Sequence, residues 1–117
     1  MASNRSLRST GPIWSMIMLS DYKTLESPGK YLERKFLIPY GLSHNKVARD
    51  LDISPSRIND LVRNRRGISA DTALRLARYF NTEPKYWLEI QMAYDLAIAQ
   101  QRSGKAIEMT VRKGPNS

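Results

Sequence analysis

The sequence contains no cysteine and a single histidine, His44, among its 117 residues. Without cysteine, disulfide bridges and thiolate metal sites are excluded, and this composition fits a reducing compartment such as the cytoplasm. The lone histidine cannot form a histidine pair, and the sequence has neither a glycine-rich phosphate loop nor a paired-carboxylate signature. We therefore expect a cytoplasmic protein that is not an enzyme and that binds no metal ion or other cofactor.

Long apolar segments are also missing. The longest apolar patch, residues 13–19, is far shorter than the roughly 20 residues that a transmembrane helix needs. Basic residues precede this patch, but no small-residue cleavage site follows it, which argues against a signal peptide. The sequence therefore predicts a protein without a membrane partner.

What the chain does have is positive charge. Its 19 lysine and arginine residues outnumber 11 acidic residues and give a formal net charge of +8. Such a balance favours polyanionic partners, and double-stranded DNA is the first candidate. The length predicts one domain. We place it at residues 27–102, between a poorly ordered N-terminal arm (1–26) and a C-terminal tail (103–117) with a possible strand at 107–111.

Residues 42–64 contain two short helical patterns joined by a tight turn. Ser43 and Ser54 suit the N-cap position of the two helices, and proline follows the second cap at the first helical position. Asp52 lies in the turn, where we expect a positive φ. Together with Ala48 and Ile58, this residue gives a pattern that resembles the helix-turn-helix of phage-repressor-like proteins, the XRE family, which usually has glycine at the turn.

Three further helices are predicted around this pair, which makes the fold class all-α with five helices. The first begins after the cap Ser27 and ends near Pro39. The fourth begins after the cap Ser69 and ends at Asn81, in a left-handed conformation. The fifth covers residues 85–102.

A closer resemblance is carried by residues 66–80, which read Arg-Gly-Ile-Ser-Ala-Asp-Thr-Ala-Leu-Arg-Leu-Ala-Arg-Tyr-Phe, and by the segment Pro-Lys-Tyr-Trp-Leu at 84–88. They resemble the HigA-type (VapI-like) antitoxins over about two-thirds of the chain. The resemblance implies a DNA-binding domain that dimerises on a palindromic operator and represses its own operon. It also implies a cognate HigB toxin, which is a RelE-like, ribosome-dependent mRNA endonuclease that the antitoxin blocks.

In a helix-turn-helix protein the start of the second helix enters the major groove of DNA. The residues expected to face the bases there are Ser56, Arg57, Asn59 and Asp60. Arginine suits guanine and asparagine suits adenine, while the aspartate could orient the arginine or read cytosine. The residues expected to contact phosphates, from the first helix and from the loop after the second, are Ser43, His44, Asn45, Lys46, Arg63, Asn64, Arg65 and Arg66.

The fifth helix carries two apolar stripes, and one of them is enough to pack a small bundle. The second stripe predicts a homodimer, although the sequence does not decide which stripe faces outward, and a helix sunk in its own core is the alternative. The predicted interface consists of Trp87, Ile90, Gln91, Tyr94 and Ile98.

Two segments have no assigned role in this scheme, the apolar patch at 13–19 and the strand pattern at 107–111. Either could bind a toxin, and so could the bundle itself. Two other functions remain open: a transcriptional regulator of the XRE type without a toxin, and a helical protein-interaction module that does not bind DNA.

Overall fold

The computed structural model describes residues 25–115, and over that range the chain forms five α-helices and no strand. This confirms the predicted all-α, five-helix class. The apolar patch at 13–19 lies outside the described residues. In chain order the helices are α1 (Pro28–Leu32, continued by a π-helical turn, Glu33–Leu37), α2 (His44–Leu51), α3 (Pro55–Val62), α4 (Ala70–Phe80) and α5 (Pro84–Thr110).

Serine side chains begin the first four helices. Each hydroxyl oxygen accepts a hydrogen bond from the backbone N–H three residues further on, at 3.1–3.3 Å. These bonds satisfy one of the free N–H groups of each first turn, which is why the helices start where the sequence predicts. The four caps are Ser27, Ser43, Ser54 and Ser69.

The ends of α2 and α4 are left-handed, as predicted. Asp52 has φ 61° and Asn81 has φ 57°. Asn64, in the loop after α3, adopts φ 61° as well, which the sequence did not predict. All three are Asp or Asn, the non-glycine residues that tolerate this conformation best.

The core is formed by buried residues from all five helices, and α5 packs against α4 and α1. Trp87 is fully buried at its centre, and its ring stands 5.0 Å from that of Phe36 and 5.1 Å from that of Tyr86, centroid to centroid. Its indole N–H donates to Thr82 Oγ1 at 2.8 Å, so the one polar atom of the ring is satisfied. Aromatic rings from the π-helical turn, α4 and α5 therefore pack together in this core.

The start of α1 contacts the end of α3 through backbone atoms. A Cβ placed on Gly29 would lie 1.7 Å from the carbonyl oxygen of Leu61, a distance that no side chain can occupy. Glycine is required here because the two helices approach each other more closely than any other residue would allow. The close approach fixes where α3 stands on the bundle.

The predicted end of α5 was wrong. The helix continues past residue 102 to Thr110, so the strand pattern at 107–111 is helical up to its last residue, Val111, which caps the helix. The segment with alternating apolar and polar residues has no strand to pair with among the described residues. Glycine at 104 costs only about 1 kcal/mol inside a helix and does not end it.

Candidate nucleic-acid interface

Helix α3 presents two of its four predicted base-reading side chains to solvent. Ser56 and Asn59 are exposed, whereas Arg57 and Asp60 are half-buried. The prediction that all four are exposed was therefore wrong for two of them. For Arg57 the reason is the first turn of α4, whose Asp71 and Thr72 contact its guanidinium group.

Arg57 joins α3 to that first turn of α4. Its Nη2 donates to Asp71 Oδ2 at 2.9 Å and to Thr72 Oγ1 at 3.1 Å. The Nε atom is buried and has no hydrogen-bond partner among the described residues. Arg75 also donates to Asp71, at 2.8 Å, and to the carbonyl oxygen of Leu51 at 2.8 Å. Hydrogen bonds from Arg75 first, and from Arg57 second, hold the pKa of the Asp71 carboxyl below its usual value.

We expect Arg57→Ala to lower the free energy of unfolding by about 1–3 kcal/mol, since a charged hydrogen bond between two helices is removed. Chemical denaturation followed by circular dichroism measures the change. Arg63→Ala is the matched control, because that side chain is exposed and forms no ion pair with a described residue. Equal stability of the two variants would show that Arg57 does not hold α3 against α4.

His44, at the start of α2, lies between two other elements. Its Nε2 is 3.0 Å from Glu33 Oε2, and its Nδ1 is 2.9 Å from Asn59 Oδ1. The prediction that this ring binds a phosphate does not agree with the arrangement, because both ring nitrogens already contact protein atoms. The ring links the π-helical turn, α2 and α3.

The rest of the first turn of α2 remains available to an anion. Asn45 and Lys46 are exposed, and Ser43 caps the helix with its hydroxyl group. Lys46 forms an ion pair with Asp50 at 3.0 Å, but half of its side chain stays accessible. A helix N-terminus with a nearby ammonium group suits a phosphate.

The loop between α3 and α4 is basic, and α5 holds it in place. Arg63, Arg65 and Arg66 are exposed, and none of them forms an ion pair within residues 25–115. Asn64 Nδ2 donates to the hydroxyl oxygen of Tyr94 at 3.0 Å. The free guanidinium groups therefore stand on a fixed loop beside α3.

Gln91 anchors the other end of this loop, because its Oε1 accepts from the backbone N–H of Ile68 at 2.7 Å. Its Nε2 donates to Asp95 at 2.9 Å, so the amide is bonded on both sides. Gln91 and Tyr94 thus position the basic loop within one chain, although the sequence assigned them to a dimer interface.

One apolar stripe of α5 is buried and the other is exposed. Trp87 and Ile90, both predicted at the dimer interface, are buried in the chain's own core, at 0% and 5% exposure. Their assignment to the interface was wrong, because this stripe packs against α4 and the aromatic residues.

The second stripe is left at the surface. Its large residues are Leu88, Met92 and Leu96, with 37%, 47% and 46% exposure. We call these three residues the α5 surface stripe.

Neither a metal site nor a membrane span is found among residues 25–115. No group of three or more His, Cys, Asp or Glu side chains there could hold a metal ion. In the same range, none of the helices combines the length and the apolar character needed to cross a bilayer.

Sequence reasoning did not predict the contacts that orient the interface from other elements, and it did not name Glu33. Glu33 is 11 positions from His44, and Asn64 is 30 positions from Tyr94. No periodicity or spacing connects residues so far apart. The signal in residues 66–80 and 84–88 came from resemblance to a family and did not reveal these contacts.

The fold and the exposed start of α3 beside a basic loop define a helix-turn-helix protein. Residues 34–87 match the family model described as Helix-turn-helix, a span from the π-helical turn to the core tryptophan of α5.

Similar proteins narrow the assignment from helix-turn-helix proteins in general to one family. Virulence-associated protein I of Dichelobacter nodosus is 54% identical over 74 residues, 63% of this chain and 68% of that protein. The structure of Pseudomonas aeruginosa antitoxin HigA with the higBA promoter has 42% identity and a TM-score of 0.72, over 74% of this chain and 95% of that one. A HigA-family addiction module antidote protein from Coxiella burnetii has 39% identity and a TM-score of 0.72, over 76% and 97%. The chain belongs to the HigA-type antitoxin family.

Proposed function

We propose that this protein is a cytoplasmic antitoxin that binds an operator in its own promoter through α3, represses that promoter as a homodimer and neutralises a HigB/RelE-like toxin. The DNA-binding part rests on the exposed first turns of α2 and α3, which are flanked by three exposed arginine side chains, Arg63, Arg65 and Arg66. A solved relative with 42% identity is an antitoxin HigA with its promoter, which supports the same role for this chain.

Base reading belongs to the exposed turn of α3. Asn59 can donate to N7 and accept from the N6 amino group of adenine, and Ser56 can bond to either kind of base edge. Arg57, held by Asp71 and Thr72 of α4, keeps α3 in place. Asp60 does not orient that arginine, since Asp71 does.

Phosphate binding belongs to two segments on either side of α3. The start of α2 offers Ser43, Asn45 and Lys46, and the loop after α3 offers its three arginines. Such contacts fix the register of the protein on the duplex and supply most of the non-specific affinity.

DNA binding is tested with a mobility-shift titration on the DNA upstream of this gene and on a scrambled duplex, at about 150 mM salt. We expect the upstream DNA to bind about a thousandfold more tightly or better, which is the usual ratio for specific recognition. Equal affinity for both duplexes would mean that the upstream DNA contains no operator for this basic protein. That result would favour the helical interaction module.

We expect Arg65→Ala to weaken binding to every duplex by a similar factor and to reduce the slope of log K against log salt by about one unit. The reason is that one phosphate contact, and the counterion released with it, is lost. The slope is obtained from titrations at four or more salt concentrations. Lys85→Ala, at the start of α5 and 75% exposed, removes a charge outside this interface and is the control. An unchanged slope for Arg65→Ala would remove this residue from the interface.

Dimerisation is assigned to the α5 surface stripe. Three large apolar side chains spaced four residues apart are exposed there, and a two-fold interface pairs the same patch of both subunits. Two recognition helices on one duplex would read a palindrome, as repressors of this class do.

Toxin neutralisation is tested by co-expression with a toxin-like reading frame beside this gene. We expect the full chain to restore growth and to co-purify with the toxin. Truncation before residue 27, and separately after residue 102, then locates the binding surface at the N-terminal segment, at the end of α5 or on the bundle. DNA binding without rescue of growth would favour the second candidate, a regulator of the XRE type without a toxin.

A further inference from the structure

The base-reading asparagine is held by the only histidine of the chain. Asn59 is exposed on α3, and its Oδ1 atom contacts Nδ1 of His44. The other ring nitrogen contacts Glu33, whose carboxylate also lies 3.8 Å from the ammonium group of Lys30. The Asn59 amide is therefore held by a ring that is itself held, while the residue remains exposed to solvent.

The chemistry of the three groups sets the direction of these bonds. A carboxylate can only accept, so Nε2 of His44 carries a hydrogen and donates it to Glu33. With Nδ1 protonated as well, the ring also donates to Asn59 Oδ1. With Nδ1 unprotonated, the ring would accept from the amide nitrogen, and the amide of Asn59 would be turned over. The His44 ring thus determines which amide atom of Asn59, the oxygen or the nitrogen, contacts Nδ1, and therefore how the amide is oriented.

This order matters for base reading. Asparagine recognises adenine by accepting from N6 and donating to N7 in one fixed arrangement, and a reversed amide places acceptor against acceptor. A side chain that rotates freely also loses conformational freedom on binding, which weakens the contact. We propose that His44, itself oriented by Glu33, is a specificity-determining positioning residue that fixes the amide of Asn59 for one base.

The proposal rests on the DNA-binding function proposed above and is tested on the same duplexes. Base preference is measured by competition titration, with each pair of the half-site replaced in turn. We expect His44→Ala to reduce the discrimination at one base pair by about tenfold and to leave affinity for scrambled DNA unchanged. Glu33→Ala should reduce discrimination at the same pair, because the tautomer and ring position are then unconstrained.

Two further variants calibrate the result. Asn59→Ala removes the amide altogether, so it gives the largest loss of discrimination expected at that base pair. Arg49→Ala, exposed near the other end of α2, is the control and should keep the wild-type preference. Circular dichroism melting shows which variants are folded. If His44→Ala does not fold, Glu33→Ala decides the question.

The outcomes separate this proposal from the one on which it rests. Wild-type preference in folded His44→Ala or Glu33→Ala, together with loss in Asn59→Ala, overturns the role of His44 and leaves operator binding intact. Wild-type preference in Asn59→Ala also overturns it, because that residue then reads no base. If the wild-type protein shows no base preference, operator binding itself is contradicted, and so is the role of His44.

Discussion

The Met92→Asp protein is expected to sediment as a folded monomer and to bind the upstream DNA about a hundredfold more weakly than the wild type, or worse. Met92 is the middle residue of the α5 surface stripe and is 47% exposed, so a charge there leaves the chain's own core intact. In the dimer, two carboxylates would face a buried apolar surface, which is strongly unfavourable. A monomer reads one half-site only and loses the contacts of the other.

Gln101→Asp is the matched control for this experiment. It lies nine residues further along the same helix, on the opposite side, and is exposed. It should remain a dimer with wild-type affinity. The residual DNA binding of Met92→Asp should still fall with salt, because its phosphate contacts survive. An intact dimer of Met92→Asp by analytical ultracentrifugation would exclude the α5 surface stripe as the interface.

The Trp87→Ala protein is expected to lose about 3–5 kcal/mol of stability, the range for removing a large aromatic side chain from a core. Trp87 is fully buried, its ring contacts Phe36 and Tyr86, and its N–H donates to Thr82. Domains of this size are only about 5–15 kcal/mol stable, so much of the protein would unfold near 37 °C.

Urea denaturation at two protein concentrations checks this expectation and separates it from an effect on the dimer. Lys85→Ala, two positions earlier on the same helix and 75% exposed, should change stability by less than about 0.5 kcal/mol. A Trp87→Ala protein that keeps wild-type stability while dissociating into monomers would contradict the buried position and restore this residue to the interface.

Local chemistry explains what could be predicted from the sequence. The four serine caps and the left-handed Asp52 and Asn81 depend on side chains within a few residues of the backbone groups that they serve. Their effect is therefore visible in the sequence itself. The helical class followed from the same local patterns, whereas the family followed from the resemblance carried by residues 66–80 and 84–88.

Contacts between distant elements could not be predicted. Arg57 follows the cap of α3 and has the spacing of a surface residue, but α4 folds back beside it and binds its guanidinium group. The two stripes of α5 have similar apolar content, so periodicity alone could not tell which one closes the core. That choice depends on where α4 and the basic loop stand, and Gln91 and Tyr94 hold that loop.

In the proposed complex, two copies of α3 enter successive major grooves on one face of the upstream DNA. Hydroxyl-radical footprinting of the full-length protein on that DNA tests it most directly. We predict two protected half-sites related by a palindrome, with centres about 34 Å or one helical turn apart, and weaker protection of both in Asn59→Ala at concentrations that just saturate the wild type. Uniform protection along the fragment, or a single protected patch that Asn59→Ala leaves unchanged, would contradict the account.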